Sequence, residues 1–278
     1  MRSMIEWLQA TAERTPEKVA VCDETDSLTF AQLYQAARVF GSWVAQRQEA
    51  RVPVALFMEK SPRCLAAMMG AAYARCPYSV IDVRQPDARL SSIMATLKPG
   101  VVLTDAANAD RAHEAFDATD TPVVLIDEVL SAAGQGAATA ASQALDQRFA
   151  TALDVDPLYI NFTSGSTGTP KGVAVCHRSV IDFIPQFDSV FGIGQDDRIG
   201  NQAPFDFDVS VKDIYSTLFT GATLVLIPRD YFSQPAKLMD FLADNAITTC
   251  TWAVSAMCFV SIMGGFDYRV PETIDKVI

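Results

Sequence analysis

The stretch NFTSGSTGTPKGVAV, residues 161–175, places five hydroxyl side chains in the seven positions Thr163 to Thr169 and follows them with Lys171. No apolar periodicity runs through it, and its glycines disfavour a helix. Tyr159-Ile160-Asn161-Phe162 reads as the strand entering this loop, and Val173-Ala174-Val175 as the strand leaving it. Glycines let successive backbone N–H groups turn inward as an anion nest, hydroxyls donate to phosphate oxygens, and a lysine adds charge. A plain Gly/Ser-rich hairpin is the competing reading, and the density of hydroxyls together with Lys171 weighs against it. The loop is not a P-loop. Counting GxxxxGK[ST] from Gly165 requires glycine at 170 and a hydroxyl residue at 172, where Pro170 and Gly172 stand.

On both sides of this loop, strand-like and helix-like segments alternate. LTF (28–30) runs into a helix opened by a Thr29/Gln32 capping box, and VPVALFM (52–58) is a buried-strand candidate followed by Ser61-Pro62 as a helix start. SVIDV (79–83), VVLT (101–104) and PVVLI (122–126) are further strands. TLVLI (223–227) precedes a helix near 235–244, and ITTCTW (247–252) precedes one near 255–263. This rhythm predicts an α/β fold of mainly parallel sheets flanked by helices. The N-terminal MRSMIEWLQATAERTPEKVAV reads as an amphipathic helix with a Ser3/Glu6 capping box and Met4, Ile5, Leu8 and Ala12 on one face. The Ala-, Gly- and Ser-rich SAAGQGAATAASQ (131–143) reads as a surface excursion or linker.

A chain of 278 residues, half of them hydrophobic, can bury a substantial core or two adjoining ones. Its net charge of −11 argues against a nucleic-acid partner, since phosphate backbones are bound by clustered Lys and Arg. The most apolar helix candidate, residues 64–74, is too short to span a bilayer, so no membrane partner is expected. The six cysteines form no CxxC pair and read as mostly core-packed, reduced thiols of a cytosolic protein. With only His113 and His177, no His-rich metal site is expected.

TSGSTGTPKG resembles the phosphate-binding signature of the adenylate-forming enzymes: acyl-CoA synthetases, luciferases and nonribosomal peptide synthetase adenylation domains. The similarity extends along the chain. TAERTPEKVAVCDETDSLTFAQL looks like the opening of amino-acid adenylation domains, and His177 falls where such proteins usually carry a histidine. By pattern, amino-acid-activating domains and D-alanine–carrier-protein ligases are nearest. One departure is GAAYARCPYSVIDVRQPDARL, which has Ala, Arg and Cys where the family carries a Lys-Ala-Gly-Gly-type run. The resemblance implies the N-terminal domain of such an enzyme over 1–278, with subdomains 50–195 and 1–49 plus 196–278. It implies attack of a carboxylate on the α-phosphorus of MgATP, loss of pyrophosphate, and transfer of the acyl group to a carrier-protein phosphopantetheine thiol. Thr163, Ser164, Gly165, Ser166, Thr167, Gly168 and Lys171 would hold the phosphates, with Thr167 and Lys171 acting catalytically. The Mg²⁺-holding glutamate, the adenine and ribose contacts and the catalytic lysine of a C-terminal domain would lie beyond Ile278. The chain alone is then expected to be inactive, and a non-catalytic nucleotide-binding half-domain is a rival reading.

The second informative stretch is residues 201–228. Ser210-Val211-Lys212-Asp213 predicts a helix start and Gly221 its end. Asp208 stands just before that start, where the helix dipole favours a carboxylate, and by itself reads as a cap. By resemblance, FDVS (207–210) matches the motif whose aspartate binds the substrate α-ammonium in amino-acid-activating members. Phe207, Asp208, Val209, Lys212 and Thr251 would then bind substrate, whereas an acyl-CoA synthetase of a non-amino acid needs no such carboxylate. Lys212 is either a counter-ion for a polar or acidic substrate side chain or a solvated lysine paired with Asp208 or Asp213. Val254 stands where the family usually has proline.

Overall fold

A computed structural model describes residues 1–116, 119–132, 138–163 and 170–278. Along the chain run strands β1 (Val19–Cys22), β2 (Ser27–Thr29), β3 (Val54–Phe57), β4 (Tyr78–Val80), β5 (Val101–Thr104), β6 (Val123–Leu125), β7 (Pro157–Thr163), β8 (Lys171–Cys176), β9 (Arg198–Asn201), β10 (Thr223–Leu226), β11 (Thr249–Cys250) and β12 (Lys276–Val277). The helices are α1 (Ile5–Arg14), α2 (Phe30–Ala45), α3 (Pro62–Tyr73), α4 (Asp87–Leu97), α5 (Ala109–Phe116), α6 (Ile126–Ala132), α7 (Ala138–Ala150), α8 (His177–Phe191), α9 (Ser210–Thr220), α10 (Pro235–Asp244), α11 (Val254–Ile262) and α12 (Gly265–Tyr268).

The fold is two mostly parallel sheets flanked by helices, one in each of two compact units. The first unit comprises Met1–Glu6 and Gln32–Ile181. Its sheet has the order β6-β5-β3-β4-β7-β8, parallel throughout except for the antiparallel β7–β8 pair. Every residue of β3 and β5 is buried, as expected of parallel strands covered on both faces. Ala55, Phe57 and Val102 pack with Leu90, Ile93, Met94 and Phe116 of α4 and α5. The second unit comprises Trp7–Ala31 and Asp182–Ile278. Its sheet order is β12-β11-β9-β10-β1-β2, with only β1–β2 antiparallel. Its core joins Val225 and Ile227 to Leu238, Met239 and Leu242 of α10, with Trp252 and Val260.

Several local expectations change. The N-terminal helix stops at Arg14, ahead of Pro16, and Val19–Cys22 is a strand. Proline has no N–H to continue the ladder. Its apolar face is as read, with Met4, Ile5, Leu8 and Ala12 buried. The Ser3/Glu6 box is not made, because Ser3 Oγ lies 3.3 Å from His177 Nδ1 and Glu6 Oε1 accepts from Arg2 N. Within SAAGQGAATAASQ, residues 138–143 are helical, in keeping with the high helix propensity of alanine; residues 133–137 lie outside the described ones. ITTCTW shortens to the two-residue β11. Thr248 Oγ1 there accepts from Arg198 N and donates to Asp197, contacts a ladder residue's side chain does not need. Six free thiols are present; Cys64, Cys76 and Cys250 are buried, but Cys258 is exposed. Among the described residues no helix is long and apolar enough to cross a membrane.

Residues 32–49 group with the first unit rather than with 196–278. The reason is close packing of α2 on α3. A Cβ added at Gly70 would lie 2.4 Å from Phe40 Cβ and 2.9 Å from the Ala37 carbonyl oxygen, so only glycine admits this approach. Arg38 of α2 also pairs with Asp146 of α7 at 2.7 Å. Gly70→Ala is expected to lose roughly 1–3 kcal/mol through overpacking. Urea unfolding, followed at equilibrium against the unmutated chain, measures it.

Candidate functional site

In the first unit, β7 and β8 carry the ends of the hydroxyl-rich loop. Their antiparallel register pairs Ile160 with Ala174, Asn161 with Val173, Phe162 with Gly172 and Thr163 with Lys171. Thr163 and Lys171 therefore stand opposite each other where the loop departs, and both are exposed. Among the described residues Lys171 makes no ion pair. Ser164, Gly165, Ser166, Thr167 and Gly168 lie outside the described residues. Gly172 has a packing reason, because a Cβ there would sit 3.0 Å from Ile160 Cγ2 and 3.3 Å from Phe162 Cζ.

The hairpin's base is closed by polar contacts. His177 N donates to Asp156 O at 3.2 Å, and Arg178 N to Asp154 O at 2.7 Å. The Arg178 side chain also pairs with Asp154 at 2.8 Å. Asp156 itself is 1% exposed and receives two guanidinium groups, Arg51 at 2.6 Å and Arg75 at 2.9 Å, together with Leu153 N at 3.1 Å. Burial alone would push its carboxyl up, but the Leu153 N–H and the two arginines outweigh that and hold it below the usual carboxylate range. Both arginines adopt left-handed backbone, with φ 69° at Arg51 and 58° at Arg75. The backbone at Arg75 takes a conformation that glycine adopts more freely, while the arginine side chain is spent on Asp156.

In the second unit, β9 leads through residues 202–209 into α9. Asn201 Nδ2 donates to the buried Asp213 Oδ2 at 2.9 Å, tying the end of β9 to the first turn of α9. Gly221, with φ 86°, ends that helix where expected. Asp208 does not act as its cap. Val209 holds the N-cap position without a side-chain bond, and only the Asp208 backbone oxygen is used, by Val211 N at 3.1 Å. The Asp208 side chain is exposed and has no hydrogen-bond or ion-pair partner among the described residues. Lys212 is half-buried and pairs with neither Asp208 nor Asp213; its Nζ lies 5.7 Å from the Phe187 ring centroid, a cation–π contact with α8. Phe207 is exposed and Val209 half-buried.

Thr251, buried, directly follows β11. β11 lies beside β9 in parallel, and Trp252 Nε1 donates to Gly200 O at 3.2 Å. Residues 207–212 and Thr251 thus follow the carboxyl ends of adjacent parallel strands, where open α/β sheets bind ligands. The family model for AMP-binding enzymes matches residues 8–262. The chain belongs to the AMP-binding enzyme family. It is 32% identical over 248 residues to the D-alanine–D-alanyl carrier protein ligase of Staphylococcus aureus strain Newman, a match covering 89% of this chain and 47% of that protein. The chain therefore spans about half the length of the curated relatives it matches. Its structure resembles VinN solved with L-aspartate, at TM-score 0.82 and 21% identity over 100% of this chain and 69% of that one. It also resembles the nonribosomal peptide synthetase FmoA3, at TM-score 0.80 and 25% identity over 98% of this chain and 28% of that one.

Two buried titratable groups on α8 were not singled out as such from the sequence. His177 is 2% exposed, and burial pulls its imidazole down to about 4 in spite of Asp156 and Asp154. Its Nδ1 accepts from Met4 N at 3.4 Å. Asp188 is 3% exposed and accepts from Ser216 Oγ at 2.5 Å. Burial pushes its carboxyl up to about 6, with Asp197 adding to the rise and Ser216 opposing it. The signs oppose each other. A histidine depressed in the folded state leaves the unfolded chain with more protons between pH 6.5 and 4, so stability falls as pH falls through that window. A raised aspartate leaves the folded chain with more protons between pH 6 and 3.8, so stability rises as pH falls there. From pH 7 to pH 5 the histidine is expected to cost roughly 2 kcal/mol and the aspartate to return roughly 1 kcal/mol. His177→Gln should abolish the first slope and Asp188→Asn the second, measured by urea titration at both pH values.

Proposed function

We propose that this chain supplies the nucleotide- and substrate-binding residues of an ATP-dependent ligase that activates an amino acid as its adenylate. The observation that carries the reading is Asp208: an exposed carboxylate, unused as a cap and unpaired among the described residues, beyond the carboxyl end of β9. Such a group suits a substrate α-ammonium. The amino-acid-ligating relative at 32% identity supports this over a ligase of a non-amino acid.

In the reaction, the amino-acid carboxylate attacks the α-phosphorus of ATP, an aminoacyl-adenylate forms and pyrophosphate leaves. The aminoacyl group then passes to a thiol, here that of a carrier protein's phosphopantetheine. In-line displacement at phosphorus needs positioning and stabilisation of the charge growing on the leaving oxygens. Lys171 and Thr163, with Ser164, Ser166, Thr167 and the backbone of Gly165 and Gly168, take that role. Lys171 has no protein carboxylate to neutralise it among the described residues, which leaves its charge for phosphate. Among the described residues no group of three His, Cys, Asp or Glu is placed to hold a metal. Lys212, held by the Phe187 ring rather than by a carboxylate, is the side-chain counter-ion for an acidic substrate.

Asp208→Ala is expected to weaken use of the amino acid by about ten- to a hundredfold. That lies between the value of an exposed pair and the 3–5 kcal/mol typical of breaking a desolvated one. Amino-acid-dependent ATP–pyrophosphate exchange measures it, in a polypeptide of the relatives' length that carries this chain. A matched acid lacking the amine should be affected far less, and equal losses would move the acyl-CoA-synthetase reading ahead. Lys171→Ala should reduce exchange by about 10² to 10³, by analogy with removal of an oxyanion donor. Exchange at the unmutated rate would remove Lys171 from the chemistry and favour a non-catalytic nucleotide-binding half.

A further inference from the structure

The hairpin that ends in Thr163 and Lys171 has a weakly specified second strand. β8 forms the edge of its sheet, and Lys171, Gly172, Val173 and Ala174 are all exposed. A strand that buries few of its own side chains has little to oppose a slip in register. A one-residue slip would turn Lys171 to the opposite face and remove it from its place beside Thr163. Gly172 under Ile160 and Phe162 favours the observed register near the tip, but a glycine pins a strand only by what it excludes. Backbone and ion-pair contacts gather at the base, next to an irregularity in the ladder between Pro157 and Tyr159. There Asp156 and Asp154 accept from the backbone of His177 and Arg178, and Asp156 is gripped by Arg51 and Arg75. Arg51 N also donates to Arg75 O at 2.7 Å, and Arg75 Nη1 to Thr151 Oγ1 at 2.5 Å. The grip thus joins the turns before β3 and β4 to the start of β7.

We propose that Asp156, Arg51 and Arg75 form a positioning clamp that sets the register of the β7–β8 hairpin and so places Lys171 opposite Thr163. This rests on the reading of Lys171 as a phosphate contact. The clamp acts on backbone position and touches no substrate. Two cations on one buried carboxylate keep Asp156 ionised, so its backbone oxygen stays fixed to receive His177 N. Arg75 contributes through its side chain while its backbone occupies a conformation glycine would hold more easily. Replacing it with glycine therefore removes the grip without adding strain.

The test uses the 278-residue chain, hydrogen–deuterium exchange of its backbone amides, and calorimetric titration with pyrophosphate. Arg75→Gly and Asp156→Asn should raise exchange in β8 by at least about tenfold and leave β3 and β5 unchanged. Both should weaken pyrophosphate binding by about fivefold or more, with Arg75→Lys recovering part of each loss. Arg38→Ala, which breaks an ion pair elsewhere in the same unit, should lower the urea midpoint without altering β8 exchange or binding. Should Asp156→Asn fail to fold, Arg75→Gly decides alone. Unchanged β8 exchange in Arg75→Gly overturns the clamp, as does an equal rise throughout the sheet. Absence of pyrophosphate binding by the unmutated chain overturns the phosphate reading of Lys171, and the exchange pattern still judges the clamp.

Discussion

The first unit turns on a buried negative charge. A carboxylate taken out of water is costly by several kcal/mol unless paired and hydrogen-bonded, and Asp156 meets both conditions at once. Its partners come from the segment before β3, the turn before β4 and the residues just ahead of β7, so one side chain joins three strand entries. The arrangement is asymmetric in exposure, with the Arg75 side chain 14% exposed and that of Arg51 54% exposed. The contact to Arg75 is the less screened of the two, because water reaches its guanidinium less, whereas Arg51 makes the shorter one. Left-handed backbone at both arginines is a strain that the ion pairs hold in place.

The second unit solves a different problem, that of leaving charges unspent. Its buried acids are each engaged: Asp213 by Asn201, Asp197 by Lys276 and two threonines, Asp188 by Ser216. Asp208 and Lys212, one turn apart at the start of α9, are without carboxylate or ammonium partners among the described residues. Rigid anchoring beneath them and free charge above them are complementary properties. The Asn201–Asp213 contact and the Gly221 terminus hold α9 at both ends, so the two charges project from a fixed frame.

Strands whose signal is purely local were legible in the sequence. VVLT is β5 residue for residue, because a four-residue β-branched-rich run between polar segments is too short for a helix and suits a covered strand. Ser61-Pro62 opened α3 as read, with Ser61 Oγ accepting from Cys64 N. The hairpin around the hydroxyl-rich loop was legible for the same reason. What the sequence hid depends on distant partners. Arg75 stood out in the sequence only as part of a departure, because its contact lies at Asp156, far along the chain. Spacing left Lys212 open between a substrate counter-ion and a solvated lysine paired with Asp208 or Asp213, and its contact is an aromatic ring on another helix. Asp208 had the position of a cap, and only the geometry of Val209 shows the cap is not made.

The opposed titrations of His177 and Asp188 have a consequence for how the molecule comes apart. They sit on one helix, α8, but the boundary between the two compact units falls between them, at Ile181 and Asp182. Between pH 7 and pH 5, protonation at these two sites alone draws on the first unit and relieves the second. Near neutral pH the penalties are borne by the second unit, and near pH 5 by the first. A single cooperative melting event rests on the units having comparable resistance. Acidity shifts that balance, so probes placed in the two sheets should cease to report coincident transitions as pH is lowered.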